Sequence, residues 1–149
     1  MAEWSQQALE KLSGAGYRRG GAREAVIELL DEQRCALSAL DIEDRLRTGE
    51  GRRVGRASIY RVVDELVSLD LLTRVDVGDG VARYEPRAAA DEHHHHLVCD
   101  GCGRLEPFQD DALEHALHAL ASRVSFDVSD HDVTLHGCCA ACRGSRRSV

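Results

Sequence analysis

The segment GRASIYRVVDELVSLDLLTRVDVGDGVARYE, residues 55–85, decides the fold of the first half of the chain. Its opening places Ile59, Val62, Val63, Leu66 and Leu69 at helical spacing, so residues 56–70 predict an amphipathic helix with one inward face. Its second part holds two β-favouring runs, LLTRVDV and VARYE, on either side of Gly78-Asp79-Gly80, which predicts a hairpin with a glycine-bearing turn. Upstream, residues 5–13 and 23–33 carry apolar positions at helical spacing, the second with Ala25, Val26, Leu29 and Leu30 on one stripe. Gly14, Gly16, Gly20 and Gly21 break the path between these two helices. Ser38 is placed to cap a third helix, ALDIEDRLR, which the glycines of TGEGRRVG end. Three helices, a longer fourth and a hairpin make a winged helix-turn-helix over residues 1–85.

The remainder reads differently. PRAAADE, residues 86–92, lacks apolar bulk and is expected to be a hinge. Beyond it HHHHLVC and RLEPF read as strands, DALEHALHALASR as a helix, and VSFDV and DVTLHGC as a second strand pair, a small α/β domain over 93–149. The expected class is α+β, a winged helix-turn-helix followed by a small α/β domain. With 149 residues and 43% hydrophobic content, one medium or two small domains are possible. No stretch reaches the roughly 18 apolar residues of a membrane span, and MAEWSQQALE has no signal-peptide pattern, so the expected location is the cytoplasm and no membrane partner is expected.

The six cysteines would be many for a reducing compartment unless they hold metal. Cys99-x2-Cys102 and Cys139-x2-Cys142 each set two thiolates on a tight knuckle, and two knuckles complete a tetrahedral shell suited to structural zinc. Cys138 is out of register with the second knuckle, and Cys35 stands alone. The run His93 to His96 precedes the first knuckle. In an extended strand alternate side chains face opposite sides, so His93 pairs with His95 and His94 with His96, and one run can serve two sites. Glu85, Glu114 and His131 are candidate further ligands. Mixed nitrogen and oxygen donors suit iron, zinc, manganese or nickel without choosing among them, and a solvated histidine patch is the bland alternative.

The net charge of −7 is unevenly spread. Arg18, Arg19, Arg23, Arg45, Arg47, Arg52, Arg53, Arg56 and Arg61 lie in the first half, whereas Glu106, Asp110, Asp111, Glu114, Asp127, Asp130 and Asp132 lie in the second, which suggests a basic module joined to an acidic one. Arg56, Ser58, Tyr60 and Arg61 stand near the start of the fourth helix, where a recognition helix presents groups to base edges and phosphates of double-stranded DNA.

In their order and spacing, GRASIYRVVDEL, RYE, HHHHLVCDGCG and SDHDVTLHGCCAAC resemble the ferric uptake regulator family of bacterial metal-dependent repressors, and the likeness runs from about Gly16 to Cys142. The resemblance implies a homodimer paired through its C-terminal halves, a structural Zn2+ on Cys99, Cys102, Cys139 and Cys142, and a regulatory metal at the hinge. That metal would be Fe2+ or Zn2+, with Mn2+ or Ni2+ also compatible. Carried over, the hinge site would use Glu85, His94 and His96, and a second site His93, His95, Glu114 and His131. Tyr60 would be the base-contacting tyrosine, and Arg18 or Arg19 would stand near the basic group that reaches the minor groove. Two positions depart from the pattern: Ala36, with Cys35 beside it, where relatives often carry a histidine ligand, and Pro107, where many carry an acidic one. No cysteine lies between Tyr84 and His93, unlike many zinc-sensing members. A zinc hydrolase and a metal storage or delivery protein are the rival readings. The first lacks an HExxH motif, and both leave the arginine-bearing helices unexplained.

Overall fold

The computed structural model of the chain describes residues 3–33, 35–49, 53–87 and 93–146, with backbone alone at 145 and 146. Arg52 and positions 88–92 of the expected hinge lie outside the described residues. The chain divides into two compact units, Met1–Ala88 and Ala89–Val149. No described helix is long and apolar enough to cross a membrane.

In the first unit the elements run α1 (Glu3–Gly14), α2 (Gly21–Glu32), β1 (Leu37–Ser38), α3 (Ala39–Gly49), α4 (Arg56–Ser68), β2 (Leu72–Val75) and β3 (Arg83–Pro86). The strands form an antiparallel sheet in the order β1-β3-β2, so the expected hairpin is present and a short strand, not anticipated from sequence, covers its far edge. Helix α4 buries Ile59, Val62, Val63 and Leu66 against Val26, Ile27 and Leu30 of α2 and Ile42 and Leu46 of α3. The α4 helix stops two residues short of the expected 56–70 because Asp70 adopts φ 57. The amides of Asp70 and Leu71 then bond back to the carbonyls of Val67 and Leu66, a left-handed helix stop. Leu69 still packs on the core, as part of the stop. In the wing, Asp76 and Asp79 accept bonds from the amides of Gly78 and Val81. Gly78 and Gly80 take positive φ, which explains the glycine spacing.

Ser38 does cap α3, and the cap is reciprocal. Its hydroxyl accepts from the Asp41 amide at 3.1 Å, and the Asp41 carboxylate accepts from the Ser38 amide at 2.9 Å. Ser38→Ala is expected to lower first-unit stability by about 1 kcal/mol, read from denaturant unfolding of the winged helix.

The structure revises the charge reading. Acidic residues of the first unit outnumber its basic ones, and many arginines are spoken for: Arg23 by Glu65, Arg47 by Asp44, Arg56 by Glu43, Arg83 by Asp79 and Arg87 by Asp70. The unit is not a basic module, because long side chains of both signs pair across its surface. Arg18, Arg19 and Arg61 are exposed.

The second unit runs β4 (His95–Cys99), β5 (Leu105–Phe108), α5 (Asp111–Arg123), β6 (Thr134–Gly137) and α6 (Ala140–Arg146). Its sheet order is β5-β4-β6, with β4 antiparallel to β5 and parallel to β6. A parallel pair needs a crossover, and α5 lies within it. VSFDV is not a strand. Ser125 at φ 53 ends α5 with bonds from Ser125 to Ser122 and from Phe126 to Ala121, the same left-handed stop as in α4. The alternation in VSFDV therefore has no neighbouring strand among the described residues, and Val124, Phe126 and Val128 stay 59%, 70% and 47% exposed. Helix α6 was not expected from sequence.

Candidate metal centres

Register brings the cysteine pairs together. Cys99 ends β4 opposite Gly137 of β6, and the Asp100 amide donates to the Gly137 carbonyl at 2.8 Å, so the residues leaving both strands start side by side. The first knuckle turns through Gly103, at φ 73, whose amide donates to the Cys99 carbonyl. The second is drawn in by the Cys139 amide, which donates to Cys99 Sγ at 3.3 Å. The four Sγ atoms of Cys99, Cys102, Cys139 and Cys142 lie within 4.8 Å of one another, with Cys102 and Cys139 at 3.9 Å. A tetrahedron with metal–sulfur bonds of about 2.3 Å has edges of about 3.8 Å. Amide donors, that of Cys139 foremost, pull the Cys99 thiol down to about 6. Neighbouring thiols, led by Cys139, push Cys142 up to about 12. Four adjacent sulfurs resist carrying four negative charges by themselves, and a divalent cation removes that resistance. The cluster fits a structural zinc.

Gly101 closes the knuckle. A Cβ there would meet Cys142 Sγ at 3.2 Å and its Cβ at 3.3 Å. Gly101→Ala is thus expected to spread the two knuckles and to release zinc to a chromophoric chelator at a rate several times that of the parent chain, with the first unit's melting unaltered.

The histidine run splits as strand geometry requires. His94 and His96 rings stack edgewise at 5.0 Å on one face, and His93 and His95 at 4.6 Å on the other. On the second face Glu114 bridges His95 Nε2 at 2.7 Å and His131 Nε2 at 2.9 Å. One donor atom from each of His93, His95, Glu114 and His131 falls within a 4.8 Å group. Asp110 caps α5 by accepting from Leu113, which sets Glu114 in the first turn facing β4. Hydrogen bonding by His95, then attraction from His131 and His95, holds the Glu114 carboxyl below its ordinary value despite an opposing desolvation effect. His95 is fully buried, and its Nδ1 accepts from the Val133 amide at 3.3 Å, a contact that sequence reasoning had no way to see. The neutral ring therefore carries its proton at Nε2 and donates it to Glu114, so a cation taking that nitrogen must displace the proton. His131 Nε2 is buried without an aligned hydrogen bond among the described residues. An oxygen and nitrogen set of this kind fits a first-row divalent ion.

On the other face, His96 pairs in register with Pro107, while Glu106 pairs with Leu97 and binds Arg104 at 2.6 Å. Proline thus occupies the position sharing the His96 face, and Glu106 points away. In the first unit, Glu85 lies on β3 opposite Thr73, Ala36 is buried, and Cys35 is half-buried. Cys138 is half-buried beside the second knuckle and is not a member of the four-thiol group. Of the expected DNA-facing residues, Tyr60 is 47% exposed, Arg61 is exposed, Ser58 is half-buried, and Arg56 is held by Glu43 at 2.8 Å.

The model of the ferric uptake regulator family matches residues 14–136, which leaves the second cysteine knuckle to the geometry of this chain. The ferric uptake regulation protein of Bacillus subtilis is 33% identical over 91% of each chain. The crystal structure of the Vibrio cholerae ferric uptake regulator superposes with a TM-score of 0.74 at 27% identity, covering 87% of this chain and 98% of that one. A zinc uptake regulator complexed with zinc and DNA superposes at 0.57 with 26% identity, covering 97% and 96%. Winged helix, strand-borne histidines and paired cysteine knuckles thus occur together in one sequence order, and the chain belongs to the ferric uptake regulator family.

Proposed function

We propose that this chain is a cytoplasmic, homodimeric repressor that binds operator DNA when a regulatory metal occupies a site built from Glu85, His94 and His96. The observation that carries the reading is the division of one histidine run between two strand faces, with one face engaged by Glu114 and His131 and the other presenting His94 and His96. Glu85 belongs to the first unit and the histidines to the second. A metal taking ligands from both favours one arrangement of the two over all others, so its binding free energy becomes control over DNA affinity. Fe2+ or Zn2+ suits these donors, and Mn2+ or Ni2+ is compatible. The second cluster, His93, His95, Glu114 and His131, braces the dimerisation domain.

Two further features support the reading. Helix α5 buries none of its residues, and Leu97, Leu120, Phe126 and Leu135 are exposed, an apolar surface that a second copy of the chain would cover. The first unit presents Tyr60 and Arg61 on α4 and Arg18 and Arg19 on the α1–α2 loop, groups suited to bases and phosphates. In a dimer the two α4 helices must meet half-sites about 34 Å apart or a multiple of that, so a small rotation of either helix away from its half-site suffices to break simultaneous contact. The test is elemental analysis of freshly purified protein followed by titration with each metal in the presence of a duplex that the protein enriches from a random-sequence pool. One zinc per chain and DNA retention dependent on a second metal are expected. Metal uptake without any DNA response would indicate storage or delivery instead.

A further inference from the structure

We propose that Arg23 and Glu65 form a positioning pair that locks the basic α1–α2 loop to the recognition helix, so that the two read DNA as one rigid surface. Arg23 Nε and Nη2 donate to the two oxygens of Glu65 at 2.7 and 2.8 Å, a bidentate contact between α2 and α4. The remaining nitrogen, Nη1, donates to the Arg18 carbonyl at 3.0 Å. The guanidinium also lies 5.4 Å from the Tyr17 ring centroid. One side chain therefore grips the loop at two points and the recognition helix at two more. The loop's other end is tied by the Tyr17 amide, which donates to the Leu12 carbonyl at 3.0 Å.

The pair is poorly suited to be a mere surface ion pair. Its side chains are only 23% and 11% exposed, and a planar fork facing a carboxylate fixes direction as well as distance. Nor is it required to hold α2 on α4, because Val26, Ile27, Leu30, Ile59, Val63 and Leu66 already do so. What it adds is register. Glu65 sits one turn beyond Arg61 on α4, and Arg18 and Arg19 are exposed on the tethered loop. A loop free to shift would bring its arginines to DNA only at the entropic cost of ordering them.

This inference rests on the proposed DNA-contacting roles of Arg18, Arg19 and α4, and the experiment separates the two. Full-length, zinc-replete, metal-loaded protein is titrated with the duplex it enriches from a random pool and with a scrambled duplex. Glu65→Gln keeps the shape but removes the charged fork. It is expected to weaken the enriched duplex about tenfold while leaving scrambled DNA and metal content unchanged. In an Arg18→Ala, Arg19→Ala background the same substitution should cost nothing more, and exchanging the partners, Arg23→Glu with Glu65→Arg, should recover part of the loss. A purely structural role would cost the same in both backgrounds, and that result, or parental affinity in Glu65→Gln, overturns the inference. Should the double alanine bind as tightly as the parent, the loop's DNA role falls first and the positioning role with it. If Glu65→Gln lowers the melting temperature markedly, the exchanged pair carries the test, and its failure to restore affinity once folded counts against the proposal.

Discussion

Cys99→Ser is expected to abolish zinc binding and unfold the second unit while the first remains intact. The asymmetry follows from where the apolar core sits. Every residue of the buried hydrophobic cluster, from Ala8 to Tyr84, belongs to the first unit. Among the second unit's described residues only Val98 and Cys99 are buried and apolar, beside the buried rings of His95 and His96. A unit this size, with so little buried, needs a metal or a partner to fold. A four-thiolate zinc contributes about 10–16 kcal/mol, against roughly 5–15 for the whole stability of an ordinary domain. Losing Cys99 removes one of the four clustered thiols and the acceptor of the Cys139 amide. Zinc content by elemental analysis should fall from one per chain to none. Amide exchange should show β4 and β6 unprotected, with α2 and α4 as slow as in the parent. Retained protection of β4 in the zinc-free variant would show that strand pairing alone holds the unit.

His94→Ala with His96→Ala is expected to leave zinc content and dimerisation unchanged and to remove metal-stimulated DNA binding. These two rings lie together on the side of the histidine run opposite the one that Glu114 engages, so their removal spares the second cluster. Coupling between two sites is typically worth about 1–3 kcal/mol, so a loss of roughly 5- to 150-fold in affinity at saturating metal is expected, down to the level of the metal-free parent. Fluorescence anisotropy on the enriched duplex, with and without metal, measures it, and sedimentation checks the dimer. Undiminished stimulation would move the regulatory site elsewhere, and Glu114→Gln would then be the next variant to examine.

Much of this molecule was legible beforehand because its signals are local. Helical spacing in 56–70 announced α4, Gly78-Asp79-Gly80 between two β-favouring runs announced the wing, and Ser38 announced a cap that exists. The Cys-x2-Cys pairs announced their own chemistry, since ligand spacing within a knuckle is a property of a few consecutive residues. VSFDV misled for the complementary reason: alternation reports a strand's two faces but not whether another strand is available to pair with it. The arginines of the first half misled because that half holds still more carboxylates, and Glu43 and Glu65 meet Arg56 and Arg23 only after folding.

Residue order by itself determined the winged helix, the alternation of the histidines and the composition of the zinc shell, all of which follow from periodicity and short spacing along the chain. Only the tertiary structure decided that Glu114 bridges His95 and His131, that a side chain at Gly101 would crowd Cys142, that the Val133 amide faces His95, and that Arg23 ties the basic loop to α4. The physical reason is separation: these contacts join residues far apart in sequence, and strand register and helix packing, not local preference, set the distance between them.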